Sequence, residues 1–174
     1  LFDQNAKICL RVDRSHRQMI DDRGYVEHDP EEIYANLLSL IPEILQKSGI
    51  DPHDLAGICI TNQRETSLMW DKATGKPVYH AIVWQCSRGA SICERLSPFA
   101  EKIQQKTGLK LSPYFSAAKL AWILENVPGI KDRAERGEIL CGTMDSYLVY
   151  RLTDKKVFRT DYSNASRTQL FNIH

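Results

Sequence analysis

No apolar run in this sequence approaches the roughly 20 residues that a helix needs to span a bilayer. One-sided charge is missing as well: 23 basic against 22 acidic residues leave a formal net charge of +1, with no long Lys/Arg run. That argues against a nucleic-acid or membrane-surface partner. The chain opens on Leu1-Phe2-Asp3, without the basic region and apolar stretch of a secretory signal and without methionine, so it reads as a fragment or a processed chain. The five cysteines (Cys9, Cys59, Cys86, Cys93 and Cys141) are odd in number and form no C-x-x-C pair. Neither a zinc site nor a disulfide framework is indicated, and a reducing cytoplasm is the expected setting. Repeats, low-complexity tracts and linkers are absent too. At 174 residues this points to one domain, or one domain with an appendage.

What is present is an ordinary globular composition, 43% apolar and 26% charged, enough to bury a sizeable core. The most informative stretch runs from Ala56 to Thr66. Ala56-Gly57-Ile58-Cys59-Ile60 has no polar interruption, as expected of a short strand buried on both faces, with the Cys59 thiol as a small hydrophobe. The chain then turns polar at once, in Asn62-Gln63-Arg64-Glu65. In open α/β sheets ligands sit just outside the carboxyl ends of strands, so this is a candidate binding edge. A surface turn closed by an ion pair is the alternative that spacing alone leaves open.

Around this stretch the pattern predicts strands mixed with helices. Leu1-Phe2 and Lys7 to Val12 flank the turn residues Asp3 to Ala6 as a cut-short hairpin, and Asp21-Asp22-Arg23-Gly24 is a further turn. Asp29-Pro30-Glu31-Glu32 starts a helix, with a cap, a proline suited to the first position and two acids at the positive end of the dipole. Its buried stripe is Ile33, Leu37, Leu40, Ile41, Ile44 and Leu45; Pro42 should kink it and Gly49 closes it. Ser67 to Trp70 and Pro77 to Tyr79 form a second hairpin, and Ala81 to Trp84 another short strand. Helical patterns cover residues 88–106 and 116–125. Ile139 to Cys141 reads as a strand, Thr143 or Asp145 opens a helix through Leu152, and Val157 to Thr160 is a last strand. The expected fold class is α/β with a mixed β-sheet flanked by helices.

Asp145 and Asp161 are the carboxylates a general base would use, but other duties fit them better. Asp145 is placed to cap or open a helix, and Asp161 to fix the Tyr162-Ser163-Asn164 turn. Ser163-Asn164-Ala165-Ser166 lacks the glycines and following lysine of a phosphate loop. The histidines are scattered, none with a partner at metal-ligand spacing. No catalytic residue and no metal ligand is assigned within the chain.

Several stretches carry a resemblance. Ile60-Thr61-Asn62-Gln63-Arg64-Glu65-Thr66, Ala81-Ile82-Val83-Trp84-Gln85-Cys86 and Pro113-Tyr114-Phe115-Ser116 resemble the bacterial glycerol kinases of the FGGY carbohydrate kinase family. So do Val26-Glu27-His28-Asp29-Pro30, Asn164-Ala165-Ser166-Arg167-Thr168 and Leu170-Phe171-Asn172-Ile173-His174. The resemblance runs the whole chain in order, and Asn-Gln-Arg-Glu-Thr is specific to the glycerol-using branch.

The resemblance implies an actin-like, ribonuclease-H-like fold of two domains with the active site in the cleft. Residues 1–174 would be most of the N-terminal, substrate-binding domain, with the ATP-binding C-terminal domain not included. The implied reaction transfers the γ-phosphoryl group of Mg-ATP to glycerol, giving glycerol 3-phosphate, in a protein that is homo-oligomeric when complete. Arg64 and Glu65 would bind glycerol hydroxyls, Tyr114 would add its ring and hydroxyl, and Trp84 would wall the carbon chain. The chemistry suits a small triol: Arg donates, Glu accepts, aromatic rings supply an apolar wall, and a site that pairs hydroxyls rejects analogues lacking them. The family also begins with a strand and an acidic, Gly/Thr-rich phosphate loop placed before Leu1, which this chain lacks. Ala117-Ala118 and Ser87-Arg88 depart from the usual Gly-Thr and Arg-Arg. A kinase for another polyol or ketose, and a non-catalytic polyol-binding fragment, are the alternative readings.

Overall fold

In the computed structural model, which describes residues 1–174, five short strands form one sheet with helices on both faces. The strands are β1 (Gln18–Ile20), β2 (Val26–His28), β3 (Ser67–Asp71), β4 (Ala81–Ile82) and β5 (Ile139–Thr143), in the order β1-β2-β4-β3-β5. The longest ladder joins β3 to β5, from Ser67 opposite Thr143 to Asp71 opposite Ile139. Strand β3 is apolar at consecutive positions, and the two-residue period of a strand sends neighbours to opposite faces. Leu68 and Trp70 join Ala81 and the Met144, Tyr147, Leu148 and Tyr150 side chains of α6 (Met144–Leu152). Met69 joins Val26, Ile82, Val83 and Cys86 with Leu120 and Ile123 of α4 (Ser116–Asn126) and Ile130 of α5 (Ile130–Glu135). Full burial of a side chain of Leu or Met size contributes roughly 1.5–3 kcal/mol. Strand β3 is therefore the element that two cores share.

Helix α1 (Pro30–Ser48) starts and stops where its residues say it should. The Asp29 carboxylate accepts from the Glu31 N–H at 2.9 Å, and Gly49 closes the helix at φ +69°. Pro42 lies inside α1 without ending it. Ile33, Tyr34 and Leu37 pack against the α6 side of the sheet, but these and Leu40, Ile41, Ile44 and Leu45 are all only half-buried, so the expected stripe lines the helix without being buried. The α1 start is tied to α6 through Glu31, which pairs with Arg151 and accepts from the Tyr147 hydroxyl at 2.8 Å. The remaining helices are α2 (Ala90–Leu96), α3 (Ala100–Thr107) and α7 (Tyr162–Ala165).

Several expectations change. All the ladders are antiparallel, so the parallel pairing of a mixed sheet is not part of this α/β fold. The stretch expected as a short strand buried on both faces, Ala56 to Ile60, is not a strand. No sheet neighbour lies beside it, its main chain makes no backbone–backbone hydrogen bond from residue 56 to 62, and Ile58 and Cys59 are exposed rather than buried. Val157 to Thr160 likewise finds no ladder; Phe158 instead packs its ring 5.6 Å from Trp70. The first hairpin shrinks to a single bridge between Phe2 and Ile8. In its place the sequence hid a hairpin, β1–β2, around the Asp21 to Gly24 turn, where the Asp21 carboxylate accepts from the Arg23 and Tyr25 N–H groups. The second hairpin is likewise reduced, its Pro77 to Tyr79 arm pairing only through a bridge between Trp70 and Pro77, with the Val78 N–H donating to Met69 O at 3.0 Å.

Candidate functional site

The polar cluster after Ile60 sits at the entrance to β3, not at the carboxyl end of a strand. The Thr66 N–H donates to Gln63 O (3.1 Å), the Thr66 hydroxyl to Gln63 Oε1 (2.9 Å), and the Ser67 hydroxyl to Glu65 O (2.9 Å). This tight turn buries Glu65, 5% exposed, while leaving Arg64 outside. Arg64 and Glu65 are not partners of one another. Arg64 Nη1 reaches the Ser163 hydroxyl at 3.4 Å, and Glu65 Oε1 accepts from Arg167 Nε at 2.6 Å. The surface-turn ion pair left open by the sequence is thus replaced by a partly buried pair spanning 102 positions.

Trp84 follows β4 and keeps 37% of its surface exposed, with its ring centroid 5.5 Å from that of Tyr114. Tyr114 is half-buried in the loop before α4, and Lys119 holds that loop. The Lys119 ammonium, with no exposed surface, donates to Pro113 O at 2.9 Å, to Phe115 O at 3.1 Å and to Tyr114 O. Burial pulls its pKa down to about 8, against weaker upward pulls from Cys86 and Glu65.

Arg167 completes the geometry. Besides pairing with Glu65, its guanidinium lies 5.7 Å from the Tyr114 ring centroid and 4.9 Å from that of Phe115. The segment that carries it is fixed at both ends: the Asp161 carboxylate caps α7 by accepting from the Asn164 N–H (2.8 Å) and amide (2.9 Å), and the Ala117 N–H donates to Thr168 O at 2.9 Å. The turn role expected of Asp161 holds. Asp145, in the first turn of α6, is buried and accepts from the Thr143 hydroxyl, from the Thr160 hydroxyl at 2.7 Å and from the Asn62 amide at 3.4 Å. Both of its oxygens are occupied, as a structural role requires.

The structure therefore places Trp84 against Tyr114 and links Tyr114 to Glu65 through Arg167, while Arg64 stands at the edge of this group, facing Ser163. Glu65 Oε2 has no protein donor and remains an acceptor. A charged donor, a buried acceptor and two adjoining aromatic rings suit a small polyhydroxylated molecule. A separate cavity of about 350 Å³, lined among others by Ser116, Thr143, Phe158 and Thr168, includes none of these four residues. Reasoning on the sequence missed Arg167 and Lys119. For Lys119 there was a signal, a lysine between Ala118 and Leu120 on a largely apolar helix; Arg167 stood in a stretch that carries the family resemblance, but nothing local tied it to Glu65.

Comparison with known proteins follows the same lines. The model of the FGGY family of carbohydrate kinases, N-terminal domain, matches residues 1–174. The chain is 51% identical to glycerol kinase 1 of Thermotoga maritima and 53% identical to glycerol kinase of Shewanella woodyi, in each case over all of this chain and 36% of the relative. It thus spans about a third of the length of these relatives. The crystal structure of Plasmodium falciparum glycerol kinase with ADP superposes with a TM-score of 0.88 at 36% identity, covering 99% of this chain and 35% of that one. Gluconate kinase from Lactobacillus acidophilus, at 24% identity and a TM-score of 0.84 over 99% of this chain and 33% of that one, shares the fold. The actin-like fold expected from the resemblance stands.

Proposed function

Because the chain belongs to the FGGY family of carbohydrate kinases, within its N-terminal domain, we propose that it is the hydroxyl-binding side of an ATP-dependent glycerol kinase. Glycerol takes the γ-phosphoryl group of ATP on a terminal hydroxyl, giving glycerol 3-phosphate. Arg64 donates to one substrate hydroxyl, Glu65 accepts from another through its free Oε2, and Trp84 and Tyr114 cover the carbon chain. The observation that carries this reading is the union of a buried, half-satisfied carboxylate with a partly exposed aromatic pair. An acceptor held in an apolar setting pairs a hydroxyl and disfavours an analogue that leaves it unpaired.

No residue of this chain is assigned to the magnesium ion that accompanies ATP. No three His, Cys, Asp or Glu side chains cluster as a metal site, and the Asp145 oxygens are engaged by Thr143, Thr160 and Asn62. The phosphates, the metal and the base belong to the remainder of the protein in this proposal, and this chain's residues bind and orient the acceptor. The test is a coupled assay with Mg-ATP and a panel of glycerol, xylulose and gluconate, on the full-length gene product and on residues 1–174. The full-length protein should turn over glycerol in preference to the other two, and the isolated chain should not turn over any. Preference for a sugar or sugar acid would overturn the glycerol assignment, and turnover by the isolated chain would show that the chemistry is complete within it.

A further inference from the structure

We propose that Arg167 is the positioning residue of the polyol site, fixing the Glu65 acceptor and the Tyr114 ring in one arrangement through a single guanidinium. The inference rests on the polyol-binding reading above. Glu65 and Tyr114 enter from separate loops, one before β3 and one before α4, and no direct hydrogen bond joins them. Arg167 touches both: Nε on Glu65 Oε1 at 2.6 Å, and the guanidinium plane near the Tyr114 and Phe115 rings. The pair is asymmetric in burial, with side-chain exposures of 30% for Arg167 and 7% for Glu65. Removing the charged partner of a carboxylate so buried leaves it without its hydrogen bond and free to turn.

The consequence for binding is geometric. Arg167 occupies Oε1, so Oε2 is the oxygen left for a substrate hydroxyl, and one corner of the carboxylate is anchored on the guanidinium. The same group, lying near the Tyr114 ring, sets the distance from acceptor to wall. Arg167 is itself held by the Asp161-capped α7 turn and the Ala117–Thr168 bond, so it is a fixed reference for both partners. Lysine would keep the charge but not the planar fork that spans a carboxylate and a ring together.

The experiment uses the full-length gene product with Arg167→Met and Arg167→Lys, and Arg95→Met as a control at an exposed ion pair. KM and kcat are measured for the polyol and for ATP, with glycerol compared to propane-1,2-diol, which lacks one terminal hydroxyl. Arg167→Met should raise the polyol KM by about tenfold or more, leave the ATP KM within about twofold, and lower the glycerol-over-diol preference by about fivefold or more. Arg167→Lys should recover the KM in part and the preference little. Equal changes in both KM values, or an unchanged preference, would overturn the role, since a residue that merely supports the fold moves both substrates alike. If Arg167→Met does not fold, Arg167→Lys decides by the same two ratios. If the wild-type protein prefers xylulose or gluconate, the glycerol reading fails and the KM split on the preferred substrate still decides the role of Arg167. If it phosphorylates none of the panel, both proposals fall.

Discussion

Arg64 and Glu65 are adjacent in sequence and opposite in environment, and that difference sets what each substitution should do. Arg64 is exposed and makes one long contact, to Ser163, so Arg64→Ala should leave stability within about 0.5 kcal/mol of wild type by urea denaturation. In the full-length protein the same change should cost roughly 2–4 kcal/mol in kcat/KM for glycerol, because a substrate hydroxyl loses a charged donor, with the ATP KM nearly unchanged. Lys119 behaves in the opposite way, as a buried cation serving the loop of Tyr114. Burial holds its pKa at about 8, below its ordinary 10.5, so between those values the folded chain binds fewer protons at this residue than the unfolded chain. Its contribution to stability should therefore rise as pH rises from 8 toward 10.5, by up to about 1.4 kcal/mol per pH unit, and stay flat below 8. Urea denaturation of wild type and Lys119→Met at pH 7, 8, 9 and 10 checks this. The difference between them should move in favour of wild type above pH 8.

At the scale of elements, local chemistry and packing can be separated. Helix α1 was legible because its signals are local: the Asp29 cap, Pro30 at the first position and Gly49 at the end. The contact between α2 and α4 was not, because it depends on Gly89 meeting Ala118 from a distant stretch of chain. A Cβ on Gly89 would lie 2.8 Å from Ala118 Cβ and 3.3 Å from its carbonyl carbon, so the two helices approach as closely as they do because that position is bare. Gly89→Ala should destabilise by about 1–3 kcal/mol through overpacking, and Ala118→Gly in the same chain should recover part of the loss. Equilibrium denaturation of the two single variants and the double variant measures the coupling. The strands were the least legible elements. Three-residue β1 and β2 leave almost no periodicity to read, and Val157 to Thr160 has strand chemistry without a strand to pair with.

For the molecule as a whole, two cores meet on β3, and the chain from Ala56 to Asn62 stays outside both ladders. Its main-chain groups are without backbone partners and Ile58 is 63% exposed. In residues 1–174 the amides of 56–62 should exchange with solvent orders of magnitude faster than those of Leu68 to Trp70, whose exchange should require opening of the sheet. Hydrogen exchange read by mass spectrometry or NMR checks this. Equal protection of the two segments would mean that 56–62 pairs in solution.

By itself the sequence determined what depends on neighbours along the chain: the capped helix α1, the polar turn between Trp70 and Pro77, the Asp161 turn, and the residue types of a hydroxyl-binding site in Arg64, Glu65, Trp84 and Tyr114. An apolar run is as compatible with exposure as with burial, so Ala56 to Ile60 could not be placed from its composition. Only the tertiary structure decided that Glu65 answers to Arg167 and not to Arg64, and that the Tyr114 loop hangs on the Lys119 ammonium. The physical reason is that a buried charge is neutralised by whichever opposite charge or dipole the fold brings within about 3 Å, and sequence separation places no limit on where that partner comes from.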